Sequence, residues 1–354
     1  MTADKLDHAQ SEMERASALE RAGKWSAAME AYTQLFDIAI HRGDLSATLS
    51  ALRGQARVRQ RQGRHDEAEE LGRLSWRIAD VNGLDRDAAR AINMVATVRH
   101  SVGDLSEAKT LYEEALEKAR QVRDEDTIGL VCQNLGVIAN IRGDLREART
   151  LYLECVGSAV RSGNRLTAIA AYNNLGMVCT DLKEWMEAEL YFDRGIEIAL
   201  RFEHLTFLGR LYLNRAEPLI HIGELSRALT GLSEAEAVAK TIGDRAIVAA
   251  AARFRAIIAR QEGDLEAADA HLAISLAIAR EARLELEYAE ALGEISRLRQ
   301  EQGDSAEAVK TARDARARFL TLGAVREVEK LDAAIAGSIG GPESLTSPNT
   351  QAAQ

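Results

Sequence analysis

Small and large apolar side chains recur along this chain at a spacing of forty residues. Ala28, Ala68, Ala108, Ala148, Ala188, Ala228, Ala268 and Ala308 form one series, and Ala16, Ala56, Ala96, Gly136, Gly176, Ala216, Ala256 and Ser296 form a second, all small. Four residues beyond the first series stand Tyr32, Gly72, Tyr112, Tyr152, Phe192, Leu232, Leu272 and Ala312, most of them large. Two helices approach closely only where both lack bulk, and a large neighbour fills the space beside the contact. The pattern therefore predicts a helical hairpin written eight times. The stretch from Asp124 to Gly163 is one copy, with a first helix predicted over Asp126 to Arg142 and a second over Leu145 to Ser162.

Turn signals fall on the same lattice. Stepping by forty from Gly23 reaches Gly63, Gly103, Gly143, Lys183, Gly223, Gly263 and Gly303; a series twenty residues out of phase reaches Gly43, Gly83, Arg123, Gly163, Glu203, Gly243, Arg283 and Gly323. Twelve of these sixteen points are glycine, which ends a helix in the left-handed conformation without a Cβ clash. Asp44, Asp104, Asp144, Asn164, Asp244, Asp264 and Asp304 follow directly and are placed to cap the next helix. Repeat five lacks its turn glycine at Lys183. In repeat six Pro218 takes a hydrogen-bond partner from the Asn214 carbonyl, so a kink is expected there, either as a tolerated defect or as a hinge. Residues 324–336 are expected to form a capping helix. Residues 337–354, rich in Gly, Pro, Ser and Thr, are expected to be disordered.

A small residue in the first helix, a glycine turn, then alanine and an aromatic in the second resemble the tetratricopeptide repeat (TPR), over residues 4–322. The forty-residue spacing and the triplets Asn134-Leu135-Gly136 and Asn174-Leu175-Gly176 are most similar to the longer repeats of kinesin light chains, spindle-orientation adaptors and bacterial peptide-sensing regulators. The usual 34-residue spacing is not followed, and the family tryptophan near the start of the first helix is replaced by Leu52, Ile92, Cys132, Tyr172 and Tyr212. The resemblance implies an all-α fold, a right-handed α-solenoid of about eight TPR hairpins with a C-terminal capping helix. It also implies a groove lined by the first helices, in which a protein or peptide partner is held.

Composition narrows the functional classes. With 45 basic and 55 acidic side chains the net charge is −10, which disfavours general attraction to nucleic acid or anionic membrane. The N-terminal residues lack a secretory signal pattern, and no apolar run is long enough to span a bilayer, so a cytoplasmic location is expected. Cys132, Cys155 and Cys179 read as small core residues in a reducing compartment. The seven histidines show no helical metal-pair spacing, and no phosphate-binding glycine loop occurs. Neither enzyme activity, nor a cofactor, nor a metal is expected.

The groove face is read from positions ten, thirteen, fourteen and seventeen of each repeat, one stripe of the first helix. It holds Arg53, Arg57, Arg90 and Asn93 in repeats two and three, and Gln133, Asn134, Asn173 and Asn174 in repeats four and five. Arg210, Asn214 and Arg253 follow in repeats six and seven. The five arginines against Glu217 predict a local charge of about +4. Between them, amides interleave with Leu130, Val137 and Met177, a surface suited to the unpaired backbone of an extended peptide. By resemblance, Asn134 and Asn174 match the asparagine that grips ligand backbone; Asn214 holds the same register before Arg215-Ala216. The bland readings are asparagines bonded to a neighbouring repeat and arginines solvated beside acidic partners. The functional expectation is a non-catalytic adaptor holding an extended segment with acidic flanks. The alternative is a peptide-sensing regulator that changes superhelical pitch and acts on a separate effector.

Overall fold

A residue in the left-handed conformation lets the last carbonyls of a helix find partners, and this stop recurs at every turn of the lattice. The computed structural model describes residues 3–325, 327–329 and 331–332, and among these there is helix and turn but no strand. All sixteen lattice points have positive φ: the twelve glycines, and also Arg123, Lys183, Glu203 and Arg283 at 51°, 61°, 56° and 56°. At Gly43 the stop consists of the Gly43 N–H donating to the Ile40 carbonyl (3.0 Å) and the Asp44 N–H to the Ala39 carbonyl (2.9 Å). Lys183 builds the same stop without glycine, its N–H donating to the Thr180 carbonyl (2.9 Å) and that of Glu184 to the Cys179 carbonyl (2.8 Å). The missing glycine thus leaves the turn in place and puts a Cβ where it is strained. Asp44, Asp104, Asp244, Asp264 and Asp304 cap the helices that follow, and Asn164 accepts from the Thr167 N–H. Asp144, expected to do the same, makes no side-chain cap bond.

Two compact units meet between Val178 and Cys179. The first contains α1 (Ala3–Arg21), α2 (Trp25–Arg42), α3 (Leu45–Arg61), α4 (His65–Val81), α5 (Asp85–Ser101), α6 (Leu105–Gln121), α7 (Glu125–Ile141), α8 (Leu145–Ser162) and most of α9 (Arg165–Asp181). The second contains α10 (Trp185–Arg201), α11 (Leu205–Asn214), α12 (Ala216–His221), α13 (Leu225–Ile242), α14 (Arg245–Gln261), α15 (Leu265–Ala282), α16 (Glu285–Glu301) and α17 (Ser305–Thr321). The fold is all-α, an α-solenoid of consecutively paired helices. Beyond α17, Val325, 327–329 and 331–332 are helical, and Val328 and Leu331 pack on Ala289, Ala312, Ala315 and Phe319. Residues 333–354, which include the end of the expected cap and the expected disordered tail, lie outside the described residues.

The forty-residue series is the core. Every alanine from Ala28 to Ala308 in the first series is at most 1% exposed, and Tyr32, Tyr112, Tyr152 and Phe192 are fully buried beside them. The contact is close enough to demand glycine at Gly136, where a Cβ would stand 2.6 Å from the Tyr152 ring. Cys132 and Cys155 are buried in the same core, and burial pushes both thiols up, Cys155 to about 12. In the second unit the chain breaks between α11 and α12 at Arg215, three residues before Pro218. Arg215 keeps helical angles (φ −65°, ψ −20°), and Leu219 and Ile220 pack with Leu232, Phe254 and Ile258, so the interruption is local and packed.

First helices of successive repeats touch in the first unit, α1 with α3, α3 with α5 and α5 with α7, whereas successive second helices make no comparable contact. The first-helix side is therefore the continuous one.

Candidate peptide-binding face

The amide cluster of the first unit is carried by α7 and α9. Helix α9 is set beside α7 at its start, where the Asn164 Nδ2 donates to Asp126 Oδ1 (3.3 Å) and Thr167 Cγ2 lies 3.4 Å from where a Cβ on Gly129 would be. Further along, Ala171 joins the core formed by Val131, Cys132 and Leu135. Gln133, Asn134, Val137, Asn173 and Asn174 are half-buried, and Leu130 and Met177 are 41% and 43% exposed. The side-chain amides of Gln133 and Asn134 make no hydrogen bond among the described residues. Asn173 Nδ2 stands 3.5 Å from both Asn174 Oδ1 and Met177 Sδ, at the limit of a hydrogen bond. On α5, Asn93 Oδ1 is buried without a partner, while its carbonyl accepts from the Thr97 hydroxyl at 2.7 Å.

The arginines are arranged differently from the expectation of a positive stripe. Arg57 Nε meets Glu20 at 2.8 Å, Arg53 meets Asp87 at 2.9 Å, and Arg90 Nε meets Asp124 at 2.8 Å, each pair joining one first helix to the next. In the second unit Arg253 meets Glu290 at 2.8 Å and lies 4.7 Å over the Phe254 ring, and Asn214 is half-buried at the end of α11. Arg210 is exposed and, among the described residues, has no ion-pair partner. Most of the predicted +4 is thus compensated by carboxylates lying off the counted stripe.

Titration follows the same pairs. Burial acts against the Asp124 carboxylate, but hydrogen bonds from Arg90 and Thr127 and the Arg90 charge outweigh it and hold the group below its ordinary value. Glu20 is lowered in the same way, burial opposing and Arg57 prevailing. Glu290 goes the other way: burial, with the charges of Glu327, Glu287 and Glu294, raises its carboxyl despite Arg253.

Sequence reasoning missed these carboxylates, although a signal was present. Each arginine finds its partner 34 or 37 residues away, as in Arg53 with Asp87, Arg90 with Asp124, Glu20 with Arg57 and Arg253 with Glu290. Those offsets fall one or two turns short of a full repeat, on the facing first helix. Among the described residues no helix is long and apolar enough to cross a membrane, and no group of three or more His, Cys, Asp or Glu side chains could hold a metal ion.

The sequence profile of the tetratricopeptide repeat matches residues 47–121 and 129–201. None of the curated proteins matches the sequence. Among solved structures, a signal-transduction ATPase with a tetratricopeptide-repeat sensor from Pyrococcus horikoshii is similar at TM-score 0.63 and 18% identity, over 78% of this chain and 43% of that one. The apo quorum sensor NprR from B. thuringiensis is similar at TM-score 0.58 and 17% identity, over 77% of both chains. A Rap protein complexed with Competence and Sporulation Factor is similar at TM-score 0.55 and 13% identity, over 94% of this chain and 99% of that one. At these identities the likeness is one of fold. The repeat profile over residues 47–121 and 129–201, with the sixteen-point turn lattice and the paired helices, identifies tetratricopeptide repeats in this chain.

Proposed function

We propose that this protein is a non-catalytic scaffold that binds a protein or peptide segment in extended form along the first-helix face of its first unit. The observation that carries this reading is the pair of unbonded, half-buried amides at Gln133 and Asn134, flanked by exposed Leu130. An extended chain has free backbone N–H and C=O groups, and a side-chain amide offers a donor and an acceptor together. Asn93, Asn173 and Asn174 extend the same face, and the apolar side chains of Leu130, Val137 and Met177 set what side chains the segment carries there: small or apolar ones.

Acidic flanks on the segment would have to compete with Asp87, Asp124 and Glu20 for Arg53, Arg90 and Arg57. The neutral centre is therefore the part of the ligand most strongly specified. In the second unit, exposed Arg210 is a cation of the counted stripe that is open to an acidic group. A second reading, a peptide-sensing regulator acting on a separate effector, draws on the broken first helix at Arg215 and on the fold shared with the quorum sensor and with the Rap protein.

The test starts from a partner captured by pull-down and narrowed to a labelled peptide. In anisotropy titrations, Asn134→Ala with Asn174→Ala weakens binding by roughly 0.5–1.5 kcal/mol per amide, equally at low and high salt, because neutral hydrogen bonds are lost. An unchanged affinity places the binding surface elsewhere.

A further inference from the structure

The backbones of the second helices of the first unit stand farther apart than those of the first helices, and between α2 and α4 they leave a cleft of about 1300 Å³ that reaches α6. Its apolar lining is Met29, Phe36, Leu71, Leu74 and Trp76. Repeat two is the one whose large residue beside the hairpin contact is replaced by Gly72 in α4. A Cβ there would stand 3.0 Å from Val95 Cγ2, so Gly72 lets α4 settle onto α5.

Charge and hydrogen bonding describe what fits. Of the cations lining the cleft, Arg59 is held by Glu67 (3.2 Å), Arg73 by Glu69 (2.7 Å) and Lys118 by Asp80 (3.7 Å). Asp37, Glu70 and Glu114 have no ion-pair partner among the described residues, against Arg77 alone on the basic side. The uncharged polar groups are few: the Gln55 amide donates one N–H to the Thr33 hydroxyl (3.3 Å), which itself donates to the Met29 carbonyl (2.9 Å). Because the walls are helices, their backbone groups are satisfied within them. An extended chain would find few uncharged backbone partners here, whereas a helix brings its own.

We propose that the cleft between α2 and α4 is a second docking surface, on the opposite helices from the amide face, and that it takes a basic amphipathic helix of a protein partner. The run from Glu67 to Asp80 on α4 is roughly 20 Å long, which matches a helix of about 14 residues. Its apolar stripe lies on Leu71, Leu74 and Trp76, and its Lys or Arg side chains reach Asp37, Glu70 and Glu114.

The probe is a fluorescein-labelled Leu/Lys amphipathic peptide of that length, titrated against the full chain, with a Leu/Glu peptide of the same pattern as control. The Leu/Lys peptide is expected to bind saturably and the Leu/Glu peptide not to bind. Asp37→Lys with Glu70→Lys alters two exposed positions and is expected to weaken binding about tenfold, equivalent to roughly 1.4 kcal/mol. Asp144→Lys with Glu262→Lys makes the same change in net charge at exposed carboxylates outside the cleft and is expected to leave affinity unchanged. Asn134→Ala with Asn174→Ala is also expected to be silent, which separates this surface from the amide face. Equal weakening by the two charge variants would reduce the effect to attraction by an acidic chain and overturn the proposal. So would absence of saturation, equal binding of the Leu/Glu peptide, loss of binding in the asparagine variant, or self-association that Leu74→Lys abolishes, which would make the occupant a second copy.

Discussion

Arg123, Lys183, Glu203 and Arg283 hold a backbone conformation that glycine adopts freely and that a Cβ makes costly, at about 1–2 kcal/mol each. The hydrogen bonds of the turn and the packing on either side hold them there. Lys183→Gly is accordingly expected to stabilise the chain by about 0.5–1 kcal/mol, the strain relieved being partly offset by the greater freedom of glycine in the unfolded chain. A denaturant midpoint that rises for Lys183→Gly and falls for Gly43→Lys would bear this out; no change in either would show that these turns carry no strain. The turn positions were legible in the sequence even where glycine is absent, because the forty-residue register points to them. That the register wins over the residue is a fact of packing.

At the scale of the element, the first helices of the first unit are tied together by Glu20–Arg57, Arg53–Asp87 and Arg90–Asp124. In Glu20–Arg57 and Arg90–Asp124 the arginine is 43% and 38% exposed, and pairs with a solvated partner contribute little, about 0–1 kcal/mol. Arg53–Asp87 differs, since its two side chains are only 7% and 9% exposed. Arg53→Ala leaves Asp87 with little beyond the Ser46 hydroxyl at 3.2 Å and is expected to cost about 3–5 kcal/mol, most of it recovered in the double variant with Asp87→Ala. A thermodynamic cycle from urea melts measures that recovery, and additive losses would contradict it. Arg53 therefore tests the architecture before it tests any ligand.

The same pairs set an acid limit. Asp124 and Glu20 have folded pKa values below their ordinary 3.8 and 4.5, so the stability they contribute is complete above those values and is lost as pH falls through the lower, folded ones. Melting temperature should thus drop as the pH goes below about 4, and Arg90→Ala should make the drop shallower by removing the largest favourable contact of Asp124. A profile of unchanged steepness in the variant would remove Asp124 from the account.

For the whole molecule, the governing fact is that each repeat packs on its neighbours in sequence, so stability is expected to be local. Gly136→Ala would drive a methyl against the Tyr152 ring in α8, at an expected cost of about 1–3 kcal/mol. Hydrogen exchange should then speed up in α7 and α8 and in the adjoining α5 and α6, while α1 and α2 of the same unit keep their protection. Uniform loss across the first unit would mean that it unfolds as one body.

The sequence alone determined the hairpins, their length and their turns, because these depend on contacts between positions about twenty residues apart that repeat with one period. It also determined which face of α7 and α9 carries amides, since helical phase is a local property. Only the tertiary structure decided what the arginines do. Long side chains reach one or two turns along the facing helix, and which carboxylate stands there depends on the offset between packed repeats: Asp87 lies outside the stripe on which Arg53 was counted, and Asp124 precedes its helix altogether. The cleft between α2 and α4 was decided at the same level. Gly72 reads in the sequence as one gap in a series of large residues, and it becomes a surface only through the way α4 rests on α5 and stands apart from α2.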